Sequence, residues 1–141
     1  MTVIGSRRRG YISAEGSNAK LVIRRLKCNH CEKIHHELPD ILVPYKRHCS
    51  ETIEEIIDEK AEDVCCEEST IRKVKHWFAR RTQYFTGCLV SVAARHGAAL
   101  AAGTGSLLRK MRECSDWLKR LVRIVVNSNL WIHTRSTFLT N

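Results

Sequence analysis

Cys28-Asn29-His30-Cys31 holds the residues of this chain best placed, by type and spacing, to do chemistry. Two thiolates at that separation span one edge of a tetrahedral zinc site, which needs four sulfur or imidazole ligands to close. The remaining cysteines, at 49, 65, 66, 88 and 114, form no second C-x-x-C pair. Half of a zinc knuckle is therefore visible, and its other half is irregular, absent or lost. A makeshift completion could draw on His48 or Cys49, although adjacent ligands fit one tetrahedron poorly. The competing reading is a redox or incidental C-x-x-C, but a thioredoxin-like site calls for a βαβ setting.

The segments around the knuckle read as strands instead. Residues 8–14 alternate, 15–18 (Glu-Gly-Ser-Asn) is turn chemistry, and 19–26 (AKLVIRRL) delivers the chain to Cys28. Residues 33–38 form a third short strand stopped by Pro39-Asp40. A hairpin, a knuckle and a return strand make up the second half of a zinc ribbon. His35 and His36 are expected on opposite sides of that third strand, not on one metal.

A helix is expected from Ser50, read as its N-cap. Glu51, Glu54 and Glu55 suit the dipole of its first turns, and Ile53, Ile56 and Ile57 share one stripe. A second helix follows Cys65-Cys66, with Ile71, Val74 and Trp77/Phe78 on its apolar side and Arg72, Lys73, Lys75, His76, Arg80 and Arg81 on the other. This is helix-turn-helix logic. Ser69 and Thr70 can donate to phosphates or base edges and, with Arg72, Lys73 and His76, would face the major groove, with Lys75 a further DNA contact. Tyr45, Lys46 and Arg47, with Arg7–Arg9, would contact backbone phosphates. The same pattern also fits an ordinary amphipathic helix with a solvated basic side.

Charge is segregated along the chain. Residues 1–49 carry +6, residues 50–68 carry −8 and residues 69–141 carry +11, for a net +9 over 141 residues. A basic balance of this kind points to a polyanion partner, with nucleic acid the first candidate. The carboxylates of 50–68 are expected to be solvated. Beyond residue 68 there are only two acidic residues, Glu113 and Asp116. No nucleophile elbow, phosphate loop or H-E-x-x-H is present, so an enzyme is not expected and no small-molecule substrate is evident. Gly103-Thr104-Gly105-Ser106 reads as a linker, and Cys88 and Cys114 as small buried hydrophobes.

The C-terminal part reads as further helices, over 82–96 with Gly97 as C-cap, over 107–114, and over 116–127. The last carries Leu118, Leu121, Val122 and Val125 on its stripe. Residues 130–135 (LWIHTR) either dock on the core or meet a polyanion. No run approaches the ~20 apolar residues of a membrane span. An odd count of seven cysteines and no secretory leader suggest a cytoplasmic protein with reduced thiols.

The stretch RRLKCNHCEKIHHELPDILVPYKRHCSETIEEII, followed by EESTIRKVKHWF, resembles the N-terminal region of bacterial insertion-sequence transposases. In those proteins a zinc ribbon precedes a basic, aromatic linker and a helix-turn-helix. It resembles more closely a family of short, uncharacterised bacterial proteins with the same ribbon and helices, whose end is matched by 121–139 (LVRIVVNSNLWIHTRSTFL). The resemblance implies Cys28 and Cys31 as ligands of a structural zinc and a second cysteine pair upstream of Val3. The partner pair is therefore expected to be lost from this chain through a mis-started frame or decay. The three metal-holding carboxylates of a transposase core are not available after residue 68, so DNA would be bound and not cut.

The expectation is a small, mainly helical α+β protein. It has a zinc-ribbon-like hairpin and basic linker over 1–49, a helix-turn-helix over 50–82 and a helical region over 83–141. Its expected role is non-enzymatic DNA binding in a mobile-element context. The alternative is a self-associating interaction module, with the acidic helix and the C-terminal basic helix binding each other or a second subunit, or a decayed remnant.

Overall fold

The computed structural model describes residues 1–60, 64–97, 105–131 and 136–138. Strands β1 (Thr2–Ile12) and β2 (Asn18–Lys27) form an antiparallel hairpin in which Arg7 faces Ile23 and Arg9 faces Leu21. β1 begins well before the expected Arg8. The backbone ladder to β2 recruits polar residues that carry no alternation, past an irregularity between Val3 and Gly5. At the turn, Gly16 has φ +80°, and a Cβ there would lie 2.9 Å from the Cys65 Cβ, so glycine is required twice over. Strand β3 (Ile34–Leu38) pairs antiparallel with β2.

Helix α1 (Ser50–Ile57) keeps its expected span but not its expected cap. Cys49 is the N-cap, and the buried Ser50 hydroxyl donates to the Asp40 carbonyl at 3.4 Å. Helix α2 (Glu68–Arg95) is one continuous helix, so the boundary expected after residue 82 falls inside it. Gly97 follows at φ +70°, the left-handed turn that commonly ends helices. Residues 58–67 separate α1 from α2, a longer connection than the roughly three- to four-residue turn of a helix-turn-helix. Helix α3 (Gly105–Arg112) takes up the second half of the expected glycine linker, whose first half lies outside the described residues, as does 98–102. Helix α4 (Trp117–Asn127) buries the expected stripe.

After Leu130 and Trp131 the chain returns to the sheet. Strand β4 (Ser136–Phe138) runs parallel to β3 and completes the order β1-β2-β3-β4. Three residues are too few to show a period, and the sequence carried no signal for this strand. Residues 132–135 of the tail lie outside the described residues.

One hydrophobic core draws on all three expected segments: Leu38 and Leu42, Ile53 and Ile56, Val74 and Phe78, and Trp117, Leu118, Leu121, Val122, Val125 and Val126. Glu54 of α1 and Asp58 just after it are not solvated spectators, because they meet the C-terminal helices within the chain. Glu54 accepts the Leu118 backbone N–H at 2.8 Å, which satisfies a donor in the first turn of α4. Asp58 accepts from the Trp117 indole at 2.9 Å and from Arg112 at 2.8 Å. Asp116, the N-cap by position, makes no capping bond and instead pairs with Lys119. Replacing Glu54 by alanine should therefore cost about 1 kcal/mol in chemical denaturation, the usual worth of a helix cap. A loss below a few tenths would show that water serves α4 equally well. Among the described residues no helix is long and apolar enough to cross a membrane.

Candidate functional site

The knuckle sits where β2 ends. Cys28 is half-buried and Cys31 exposed, and the Cys28 N–H donates to the Lys33 carbonyl at 3.0 Å, closing a tight loop. The backbone N–H groups of Cys31 and His30 hold the Cys28 thiol below its ordinary value, which favours the thiolate a metal requires. His35 pairs with Leu26 in the sheet and His36 with Arg25, so the two histidines do point to opposite faces. That alternation carries the His35 ring to Cys31, with Nε2 at 3.5 Å from Sγ.

Cys28, Cys31 and His35 offer three ligand atoms within 4.8 Å of one another, a group that could hold a metal ion. Metal–sulfur and metal–nitrogen bonds of about 2.3 and 2.0–2.1 Å at tetrahedral angles put sulfur and nitrogen about 3.5 Å apart. The Cys31–His35 separation matches that edge. His35 was not a candidate from the sequence. Its signal was present, as a residue four beyond the second cysteine in strand phase, but it is legible only once the knuckle is folded. His48 and Cys49 cannot complete the group: they pair with Ile12 and Leu42, at the opposite end of the hairpin from Cys28.

His48 belongs to a second cluster instead. Its Nδ1 lies 3.3 Å from the Cys66 Sγ. Burial, then Arg47, lowers the His48 pKa, while burial, then Cys65 and Cys49, raises that of the Cys66 thiol. The two therefore meet as neutral groups. Because His48 titrates lower folded than unfolded, its contribution to stability is complete above the unfolded value of about 6.5 and is lost as pH falls below it. Thermal melts from about pH 7.5 to 5 should show that decline, reduced in His48→Gln; an unchanged slope in the variant would remove His48 as the cause. Cys88 is buried and its thiol raised by burial, as expected, whereas Cys114 is exposed.

A cationic face lies along one side of α2. Thr70 and Lys73 line a cavity with Tyr45, Lys46 and Arg47, and Lys73 and His76 line the next one with Arg80 and Arg81. The hairpin is tied to this face by Arg9, which donates to the Lys46 carbonyl at 3.2 Å. Lys46 Nζ stands over the Trp77 ring at 4.2 Å, and burial, then Arg81, holds its pKa below the ordinary lysine value. Arg7, Arg9 and Arg25 share the sheet face of His36, and after burial their charges lower its pKa.

Six of the nine sequence-nominated DNA contacts are thus brought together: Tyr45, Lys46, Arg47, Thr70, Lys73 and His76. The other three are not. Lys75 pairs with Glu59 at 3.2 Å on the other flank of α2, and Ser69 donates to Glu67. Arg72 is exposed, about 100° round the helix from Lys73. Arg80 and Arg81, noted on the basic side but not nominated, join the face. Trp131 was equally missed; it stacks on Phe85 and Trp77 with centroids at 5.5 and 6.4 Å. Its docking answers the expectation for the start of the tail.

The fold and these features define a small α+β protein with a Cys/His knuckle between β2 and β3 and a basic helix beyond it. A family model described as a domain of unknown function (DUF6431) matches residues 1–74, and the chain belongs to that family. The match covers the hairpin, the knuckle, α1 and the first turns of α2. No curated protein and no solved structure matches the chain.

Proposed function

We propose that this protein binds DNA without acting on it chemically, as a relative of transposase N-terminal modules. The cationic face of α2 and residues 45–47 would grip the duplex backbone. The observation that carries this reading is the gathering of Lys46, Arg47, Lys73, Arg80 and Arg81 along adjoining cavities, with Glu67 the one carboxylate among the described residues lining them. Among the described residues Lys46, Lys73, Arg80 and Arg81 take part in no ion pair. Cations left without carboxylate partners on one face suit a polyanion better than a merely solvated surface does.

Five neutralised phosphates predict a slope of about −4.5 in log K against log salt. Fluorescence anisotropy with a random duplex across a salt series tests this directly. A slope of several units supports the reading, and no binding at low salt by folded protein would end it.

The metal at the knuckle is proposed to be zinc in a structural role. Two thiolates and an imidazole are a zinc donor set, and Cys28, Cys31 and His35 would hold it. Thr2 faces Lys27 and donates to Asn29, so the start of β1 lies beside the knuckle, where the resemblance would put a second cysteine pair. Cobalt titration should give sulfur-to-metal charge-transfer absorption at one equivalent. His35→Ala should weaken it by more than the roughly 10- to 100-fold typical of outer-shell partners. Equal affinity in the variant would remove His35 from the site.

A further inference from the structure

Duplex backbone accounts for the cations of the face and leaves its aromatic residues unexplained. A cavity of about 370 Å³ opens between the 44–46 loop and α2, lined by Tyr45, Trp77, Tyr84 and Trp131 with Lys46 and Arg81, and among the described residues no acidic one lines it. Tyr45 is 68% exposed, although aromatic rings ordinarily bury most of their surface. Its backbone sits at φ +62°, a left-handed conformation that costs a non-glycine residue and needs surrounding structure to hold it. Pro44 before it is buried and Lys46 after it is pinned over Trp77, so the strained residue is presented from fixed supports.

On the opposite wall Tyr84 is exposed, and its hydroxyl donates to the Leu130 carbonyl, which fixes the chain next to Trp131. The Trp131 ring is in turn seated on Phe85 and Trp77. The cavity is thus a preformed aromatic slot with ammonium and guanidinium groups at its rim. Lys73 and Arg80 continue the charge along α2.

In a duplex the faces of the bases are stacked on one another and out of reach of such rings. They become available only where a strand is unpaired, and rings beside cations are the usual means of holding such a strand. We infer that the slot between Tyr45 and Tyr84 receives an unpaired base of single-stranded nucleic acid, whose flanking phosphates rest on Lys46, Arg81 and Arg80. This rests on the reading of the face as a DNA surface and extends it to a second form of the ligand.

Tyr45→Gly tests the inference with little risk to the fold, because glycine adopts the left-handed conformation without strain. Labelled oligo(dT), oligo(U) and a hairpin duplex are titrated by anisotropy into wild type, Tyr45→Gly and Tyr45→Phe. Wild type is expected to bind the single strands, with Tyr45→Gly weaker on them by roughly five- to 150-fold, the range for one lost base stack. Its duplex affinity should fall by far less, because there Tyr45 supplies one uncharged contact beside the cations, and Tyr45→Phe should bind the single strands as wild type does. Equal single-strand affinity in Tyr45→Gly overturns the base slot, as does wild type that binds the duplex but not the single strands. Wild type that binds none of the three removes the underlying DNA reading along with it.

Discussion

A variant carrying Lys73→Glu, Arg80→Glu and Arg81→Glu is expected to bind duplex DNA at least about 100-fold more weakly than wild type, with its salt slope reduced from about −4.5 to about −2. These residues neighbour one another along the same side of α2, and two cavities share Lys73 or Arg81 with the Lys46 loop. Reversal removes three phosphate contacts and adds three repulsions. The fold should tolerate it, because glutamate, lysine and arginine have similar helix propensities and the buried side of α2 (Val74, Phe78, Phe85, Leu89) is untouched.

Lys75→Glu is the matched control. Lys75 carries the same charge on the same helix, but it pairs with Glu59 on the other flank. Its reversal should change affinity by no more than a few-fold. If Lys75→Glu proves as damaging as the triple variant, affinity follows net charge alone and the cationic face loses its meaning. If the triple variant binds as wild type does, duplex DNA lies elsewhere or nowhere on the molecule.

Trp117→Ala should produce the largest loss of stability, about 3–5 kcal/mol in urea unfolding. The indole is 1% exposed at the start of α4, packed edge-on against Phe78 with centroids at 5.4 Å. It also donates to Asp58 on the loop after α1, and the Arg112 guanidinium of α3 lies 5.3 Å from its ring centroid. One side chain thereby joins four helical segments. Its removal leaves a cavity and takes a partner from a half-buried carboxylate.

Against a total stability of about 5–15 kcal/mol, a loss of that size leaves much of the chain unfolded near body temperature. Trp117→Phe retains much of the packing without the indole donor and should fall between wild type and alanine. A cost under about 1 kcal/mol for alanine would show that the helices repack freely around the gap.

The strands flanking Cys28, the stripe of α1 and the opening of α2 were legible because they depend on neighbours two, three or four residues away. The period of side-chain placement along a strand or helix is a local property of the backbone. The C-x-x-C pair was visible for the same reason. The α+β class followed from those elements together, since a strand-rich first third and amphipathic stripes beyond it leave few other arrangements.

What stayed hidden depends on residues brought together from far apart in the chain. Ser50 looked like a cap because its type favours caps, yet burial against Asp40 gave its hydroxyl a different partner. The solvated reading of the acidic helix failed at Glu54 and Asp58, whose partners Leu118, Arg112 and Trp117 lie more than fifty residues on. The local pattern at 82 suggested a break, but burial of Phe85, Cys88 and Leu89 in the same core as Phe78 keeps α2 continuous.

The division is clearest along α2. Spacing alone placed basic residues on the side away from Val74 and Phe78. It could not distinguish Lys73 from Lys75, because what separates them is the loop on one flank, which brings Lys46 and Arg47, and the end of α1 on the other, which brings Glu59. Charge and periodicity are properties of the chain. Which charges find partners, and which remain together beside Tyr45 and Trp131, depends on how distant segments pack.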